Sequence, residues 1–136
     1  MFLEKLRTML RLRSPEPFGQ VQLRPVIDEI SLAWPFTEAA VDLSPTSPGV
    51  YFLYRNGRLI YIGLAVNGSG IRQELESHRC AARGPATRDA TAFLYELARD
   101  PRAAHERYLS THRERYGGRL PAGNEAELRH TGVQVP

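Results

Sequence analysis

The sequence predicts an α+β domain whose elements run β-hairpin, helix, strand, helix, preceded by a helical N-terminal segment. Three observations carry this. Asn56-Gly57 separates two β-prone runs, and both residues tolerate the positive φ that a two-residue type I′ hairpin turn demands. Residues 71–83 place Ile71, Leu75 and Ala82 on one side of a helix, with Gly84-Pro85 as a stop. Residues 101–116 open on Pro101, a favoured first helical residue, and close on Gly117-Gly118.

Taken in order, residues 1–13 carry Phe2, Leu3, Leu6, Met9 and Leu10 at helical spacing, with Lys5, Arg7 and Arg11 elsewhere around the wheel. That is an amphipathic helix expected to pack on the domain, with membrane-surface or partner docking as the minority alternative. Ser14-Pro15-Glu16-Pro17 ends it, because proline restricts the residue before it. Residues 21–34 stay open between strand and helix: Val21-Gln22-Leu23 alternates, whereas Ile27, Ile30 and Trp34 suit a helical face. Two prolines make residues 44–48 a loop leading into the hairpin. A Gly/Asn/Ser-rich loop follows at 64–70, and residues 91–97 are β-prone enough for a third strand, with a helical reading left open by Ala92, Glu96 and Ala98. Residues 1–47 are thus an N-terminal extension, and 48–136 the domain proper.

Composition narrows the classes. A chain of 136 residues has one-domain length. Formal net charge is +3 and Lys5 is the only lysine; arginine richness suits phosphate contacts, and equally a codon preference. Cys80 is the single cysteine, so no intrachain disulfide forms and a cysteine-based zinc site is not expected, in keeping with a reducing cytoplasm. No apolar run approaches the roughly 20 residues of a membrane span, and residues 1–13 do not read as a secretory signal. No Walker loop, dinucleotide fingerprint or zinc-spaced Cys/His cluster points to another class.

Two tyrosine-glycine clusters flank the hairpin: Gly49-Val50-Tyr51 and, after nine intervening residues, Tyr61-Ile62-Gly63. Folding about Asn56-Gly57 brings Tyr51 and Tyr61 together at the far end of the ribbon. This pair at this spacing resembles the signature of the GIY-YIG nuclease family over about residues 48–124. The resemblance implies a small three-stranded antiparallel sheet flanked by helices and a metal-dependent endonuclease acting on nucleic-acid phosphodiesters, DNA foremost. It implies one divalent ion, Mg²⁺ or Mn²⁺, held by a glutamate on a late helix, with the tyrosines orienting or deprotonating the attacking water and a first-helix arginine on the phosphate.

By that resemblance Glu106 is the candidate metal ligand, upstream of Leu120-Pro121-Ala122-Gly123-Asn124, with Glu114 as rival about 80° further around the helix. Tyr61 is the general base or water-orienting group, and Tyr51 its partner. As a base, a phenol of pKa near 10 needs positive charge beside it. Where the family carries an arginine four residues before a histidine or tyrosine, this chain has Glu74 before His78. Arg72 and Arg79 are the nearest substitutes, and His78, Arg79 and Asn124 complete the expected nucleic-acid contacts. Glu74 and His78 could instead be an ordinary i,i+4 pair. Two alternatives follow: a degenerate module of this family that binds nucleic acid or protein without cutting, and an interaction module using the Phe2/Leu6/Met9 face.

Overall fold

The computed structural model describes residues 33–66, 68 and 70–131. The amphipathic helix at 1–13 and nearly all of 21–34 lie outside the described residues. From Trp34 onward the described chain belongs to one compact unit. Its elements are β1 (Trp34–Pro35), α1 (Glu38–Asp42), β2 (Gly49–Arg55), β3 (Arg58–Ala65), α2 (Gly70–Arg79), α3 (Pro85–Arg88), β4 (Ala92–Leu97), α4 (Pro101–Arg115) and α5 (Ala122–Thr131).

The fold is α+β, and its sheet is antiparallel with four strands in the order β1-β4-β2-β3. The three-stranded expectation is corrected by β1, a two-residue edge strand in which Trp34 pairs with Phe93. Trp34 and α1 belong to the same compact unit as the hairpin. Thr37 caps α1 by accepting the Ala40 N–H, and Val41 on that helix enters the core.

β2, one of the two inner strands, is buried from Gly49 to Tyr54. On one face Tyr51, Leu53, Tyr61, Ala65 and Phe93 pack with Val41, Ile71 and Leu75 from α1 and α2. On the other, the Phe52 ring meets Tyr108 of α4 edge-on at 4.8 Å. A strand covered on both sides reads as an unbroken apolar run, which is why 49–54 lacks polar alternation.

The turn has the predicted geometry, with φ of 49° at Asn56 and 87° at Gly57 and Arg55 opposite Arg58. Beyond it, the ladder shifts register: Tyr54 pairs with Leu59, but Leu53 pairs with Tyr61, leaving Ile60 as an extra residue. This bulge decides the site. A regular ladder from Arg55–Arg58 would set Tyr51 opposite Ile62 and turn Tyr61 to the other face. The extra residue reverses the parity of β3, so Tyr61 joins Tyr51 on one face.

The first long helix ends earlier than its sequence suggests. α2 stops at Arg79, and Ala81 takes a left-handed conformation, φ 65°. The Ala82 N–H then bonds the Ser77 carbonyl and the Ala81 N–H that of His78, a Schellman closure. Pro85 begins the short α3 instead of merely following a stop. The predicted strand at 91–97 and helix at 101–116 form almost as expected, Asp100 capping α4 through the Ala103 N–H. α5 was not foreseen. Among the described residues no helix is long and apolar enough to cross a membrane.

Candidate active site

Tyr51 lies opposite Gly63, and its ring occupies the space a side chain there would need: a Cβ on Gly63 would stand 2.0 Å from the Tyr51 Cζ. Gly49 is required for a similar reason, since its Cβ would meet the Glu96 carbonyl oxygen at 2.3 Å. The two glycines of the paired tripeptides thus serve close approach. With Gly63 bare, the Tyr51 ring lies 6.0 Å from Tyr61 and 5.5 Å from His78, and Tyr61 lies 4.7 Å from His78.

His78 is fully buried at the C-terminal end of α2. Its Nε2 is 2.8 Å from the Tyr51 hydroxyl and its Nδ1 2.7 Å from the Thr87 hydroxyl of α3. A neutral imidazole suits two hydroxyls, donating to one and accepting from the other. Burial, with the Arg83 charge adding to it, depresses the His78 pKa to about 3, so the ring is uncharged near neutral pH.

Above this buried trio sits a charged layer. The Tyr61 hydroxyl donates to Glu127 Oε1 at 2.8 Å and accepts from Arg83 Nη2 at 3.2 Å. Arg83 also pairs with Glu127 at 2.9 Å and with Glu74 at 2.5 Å. The three charged side chains are 31 % (Arg83), 18 % (Glu74) and 35 % (Glu127) exposed, so this layer meets solvent while the phenols lie beneath it. Burial, followed by the Glu127 carboxylate, lifts the Tyr61 pKa above its ordinary value; Arg83 opposes this without prevailing. Burial and the neighbouring phenol likewise raise Tyr51. Both phenols are therefore protonated at neutral pH, which favours orienting a water over deprotonating it. Burial works against the Arg83 charge, yet Tyr51, Tyr61 and the bonds to Glu127 and Glu74 outweigh it and hold the guanidinium above its ordinary value.

Of the sequence-predicted residues, Tyr51, Tyr61 and His78 come together here. Asn124 lies beside them in a different role: its Oδ1 accepts the Ile62 N–H and its Nδ2 donates to the Ile62 carbonyl, each at 2.9 Å. β3 is an edge strand, and the buried amide mimics a neighbouring strand, leaving neither group free for a ligand. Gly123 permits the approach, since a Cβ would lie 2.5 Å from the Ile60 carbonyl oxygen. Arg72 points elsewhere, its Nε donating to the Ser44 carbonyl beside a recess lined by Asp42, Thr46, Gln73 and Glu76. Arg79 is paired with Glu76. Glu106 is exposed on α4 and makes no hydrogen bond or ion pair with a described residue, and Glu114 is likewise exposed. His105 and His112 donate to the Ile62 and Arg119 carbonyls.

Sequence reasoning missed Arg83, Glu127 and Thr87. Arg83 read as the last turn of a helix; the left-handed Ala81 instead swings it back over the site. Glu74, which stood as a charge reversal, is the partner of that arginine. Glu127 carried one usable signal, its position one helical turn after Asn124.

Among the described residues no group of three or more His, Cys, Asp or Glu side chains could hold a metal ion. Mg²⁺ does not need one, since it is commonly held by one or two carboxylates with water and substrate phosphate. Glu127 at the cluster is engaged by Tyr61 and Arg83, and Glu106 on α4 is exposed without a hydrogen-bond or ion-pair partner among the described residues. The chain matches no protein-family model, no curated protein and no solved structure.

Proposed function

We propose that this chain is a GIY-YIG-like endonuclease of the cytoplasm, hydrolysing nucleic-acid phosphodiesters, DNA foremost, with one Mg²⁺ or Mn²⁺ ion. The observation that carries the reading is the Tyr61 hydroxyl, hydrogen-bonded at once to a carboxylate and a guanidinium above a buried phenol–imidazole pair. Glu127 would hold the ion, with Glu106 the second carboxylate within the same reading; when bound, the ion neutralises charge developing on the scissile phosphate. The remaining work falls to the chain itself. Arg83 presents N–H donors to phosphate oxygens. Tyr61, kept protonated, fixes the orientation of a water against the Glu127 carboxylate. Tyr51 and neutral His78 hold the Tyr61 ring in place from below.

The test is cleavage of labelled single-stranded, duplex and branched DNA, and of RNA, with Mg²⁺ or Mn²⁺. Glu127→Gln and Tyr61→Phe are expected to abolish or strongly reduce cutting while leaving the fold intact, and Glu106→Ala reports whether the second carboxylate takes part. Cutting that survives Glu127→Gln but not Glu106→Ala would move the metal to α4. A second reading, binding without cleavage, is favoured by one feature: Arg83 is already paired with two carboxylates, giving this layer a net charge of −1 against a polyanion. Folded wild-type protein that binds nucleic acid but cuts no substrate with either ion would establish it.

A further inference from the structure

We propose that the β2–β3 hairpin tip is a backbone-docking point for nucleic acid, with Arg55 and Arg58 gripping phosphates of the strand that enters the Tyr61 site. The inference rests on the nucleic-acid reading above. Arg55 and Arg58 are direct cross-strand partners on either side of the turn, and both are exposed. Neither side chain makes a hydrogen bond or ion pair with a described residue. Like charges placed opposite one another work against the hairpin, so this pair does nothing for the fold. A phosphate between the two guanidinium groups would relieve the repulsion, and their planar forks match phosphate oxygens.

The register places the pair relative to the site. Alternate residues of a strand share a face, and so do cross-strand partners. Arg55 therefore shares the face of Tyr51 and Leu53, Arg58 shares it with Arg55, and Tyr61 joins it through the bulge. Arg58 stands opposite Arg55 and Tyr61 opposite Leu53, so the bulged ladder advances two residues between them, about 7 Å at roughly 3.3 Å per residue. That is about two nucleotide steps at roughly 3.4 Å per strand. The tip is also held in place: the Asn56 N–H donates to the Thr91 hydroxyl at 2.9 Å, tying the turn to the residue before β4. Asp89, in the segment just before Thr91, is paired with Arg88 at 3.5 Å.

The experiment measures binding, not cutting. Fluorescence anisotropy of labelled duplex and single-stranded DNA is followed against NaCl concentration without divalent ions. It compares the full chain, Arg55→Gln/Arg58→Gln and a control, Arg99→Gln/Arg102→Gln. The control removes the same charge at the other end of the sheet, where Arg99 and Arg102 line a recess with Pro48 and Val66. The expected result is a salt slope shallower by about 2 and affinity at 50 mM salt reduced about tenfold or more in the tip variant, with a clearly smaller change in the control. Thermal unfolding confirms that the tip variant folds, since it removes only opposed like charges. Equal losses in both variants, or an unchanged slope in the tip variant while the wild type binds, would overturn this inference and leave the nuclease reading standing. Absence of binding by the folded wild type would also overturn this inference, while the cleavage assay with Mg²⁺ or Mn²⁺ decides the nuclease reading separately.

Discussion

Gly63→Ala tests the packing on which the site depends. An ideal Cβ at this position lies 2.0 Å from the Tyr51 Cζ and 2.4 and 2.5 Å from its two Cε atoms. Comfortable carbon–carbon contacts are about 3.5–4.0 Å, so the overlap is on the order of 1.5 Å. The ring cannot simply swing aside: it is fully buried, flanked by His78 and Tyr61, and fastened at its hydroxyl to His78. Overpacking costs about 1–3 kcal/mol, and losing the buried phenol–imidazole bond adds about 1 kcal/mol. The expected total is about 2–4 kcal/mol, a large share of a typical stability of about 5–15 kcal/mol. For a unit of this size that lowers Tm by about 10 °C or more. The assay is thermal unfolding by circular dichroism, repeated in a Tyr51→Val background where the obstructing ring is gone. There the alanine should cost under about 1 kcal/mol, so the two substitutions couple strongly. A single-variant Tm within about 2 °C of wild type, or an equal cost in both backgrounds, would refute the stacking of Tyr51 over Gly63.

Three further expectations follow from the same contacts. Ala81→Gly should raise stability by about 0.5–1 kcal/mol in urea unfolding, because a non-glycine residue at φ 65° is strained; a loss would count against the left-handed turn that aims Arg83. Asn124→Ala should cost about 2–4 kcal/mol by the same measurement, since it strips the Ile62 N–H of its partner and leaves the carbonyl to His105 alone; a cost below about 0.5 kcal/mol would show that the edge of β3 does not need this amide. For His78 the folded pKa, about 3, lies below the unfolded value of about 6.5. The unfolded chain therefore takes up the proton first: stability is whole above about pH 6.5 and falls by about 1.4 kcal/mol per pH unit on acidification toward the folded value. Burial lowers His105 and His112 as well, adding to this fall, whereas burial raises Glu96, which opposes it at the acid end. Urea midpoints of wild type and His78→Gln between pH 7 and 5 should diverge, with the shallower profile in the variant. Parallel profiles would show that His78 is not held neutral.

Local chemistry made much of this fold legible. Asn56-Gly57 fixes the hairpin because the turn conformation belongs to those two residues, and Pro101 and Gly117-Gly118 bracket α4 because helix ends are set by what the next residue can adopt. Tyr51, Tyr61 and His78 were grouped from the sequence by the paired tyrosine-glycine resemblance, not by strand or helix periodicity, since a regular hairpin ladder would have put Tyr61 on the other face from Tyr51. What the sequence could not determine is which face each strand residue takes after a bulge. The extra residue at Ile60, which turns Tyr61 to the Tyr51 side, is fixed by packing on both faces of the sheet rather than by any local preference. The charged layer is equally a product of tertiary structure. Tyr61 and Glu127 are 66 residues apart, Ile62 and Asn124 are 62, and Arg83 reaches Glu74 only after the chain reverses at Ala81. Periodicity places a residue on a face of its own element; only the packing of α2, α5 and the sheet edge decides which charges meet across the gap between elements.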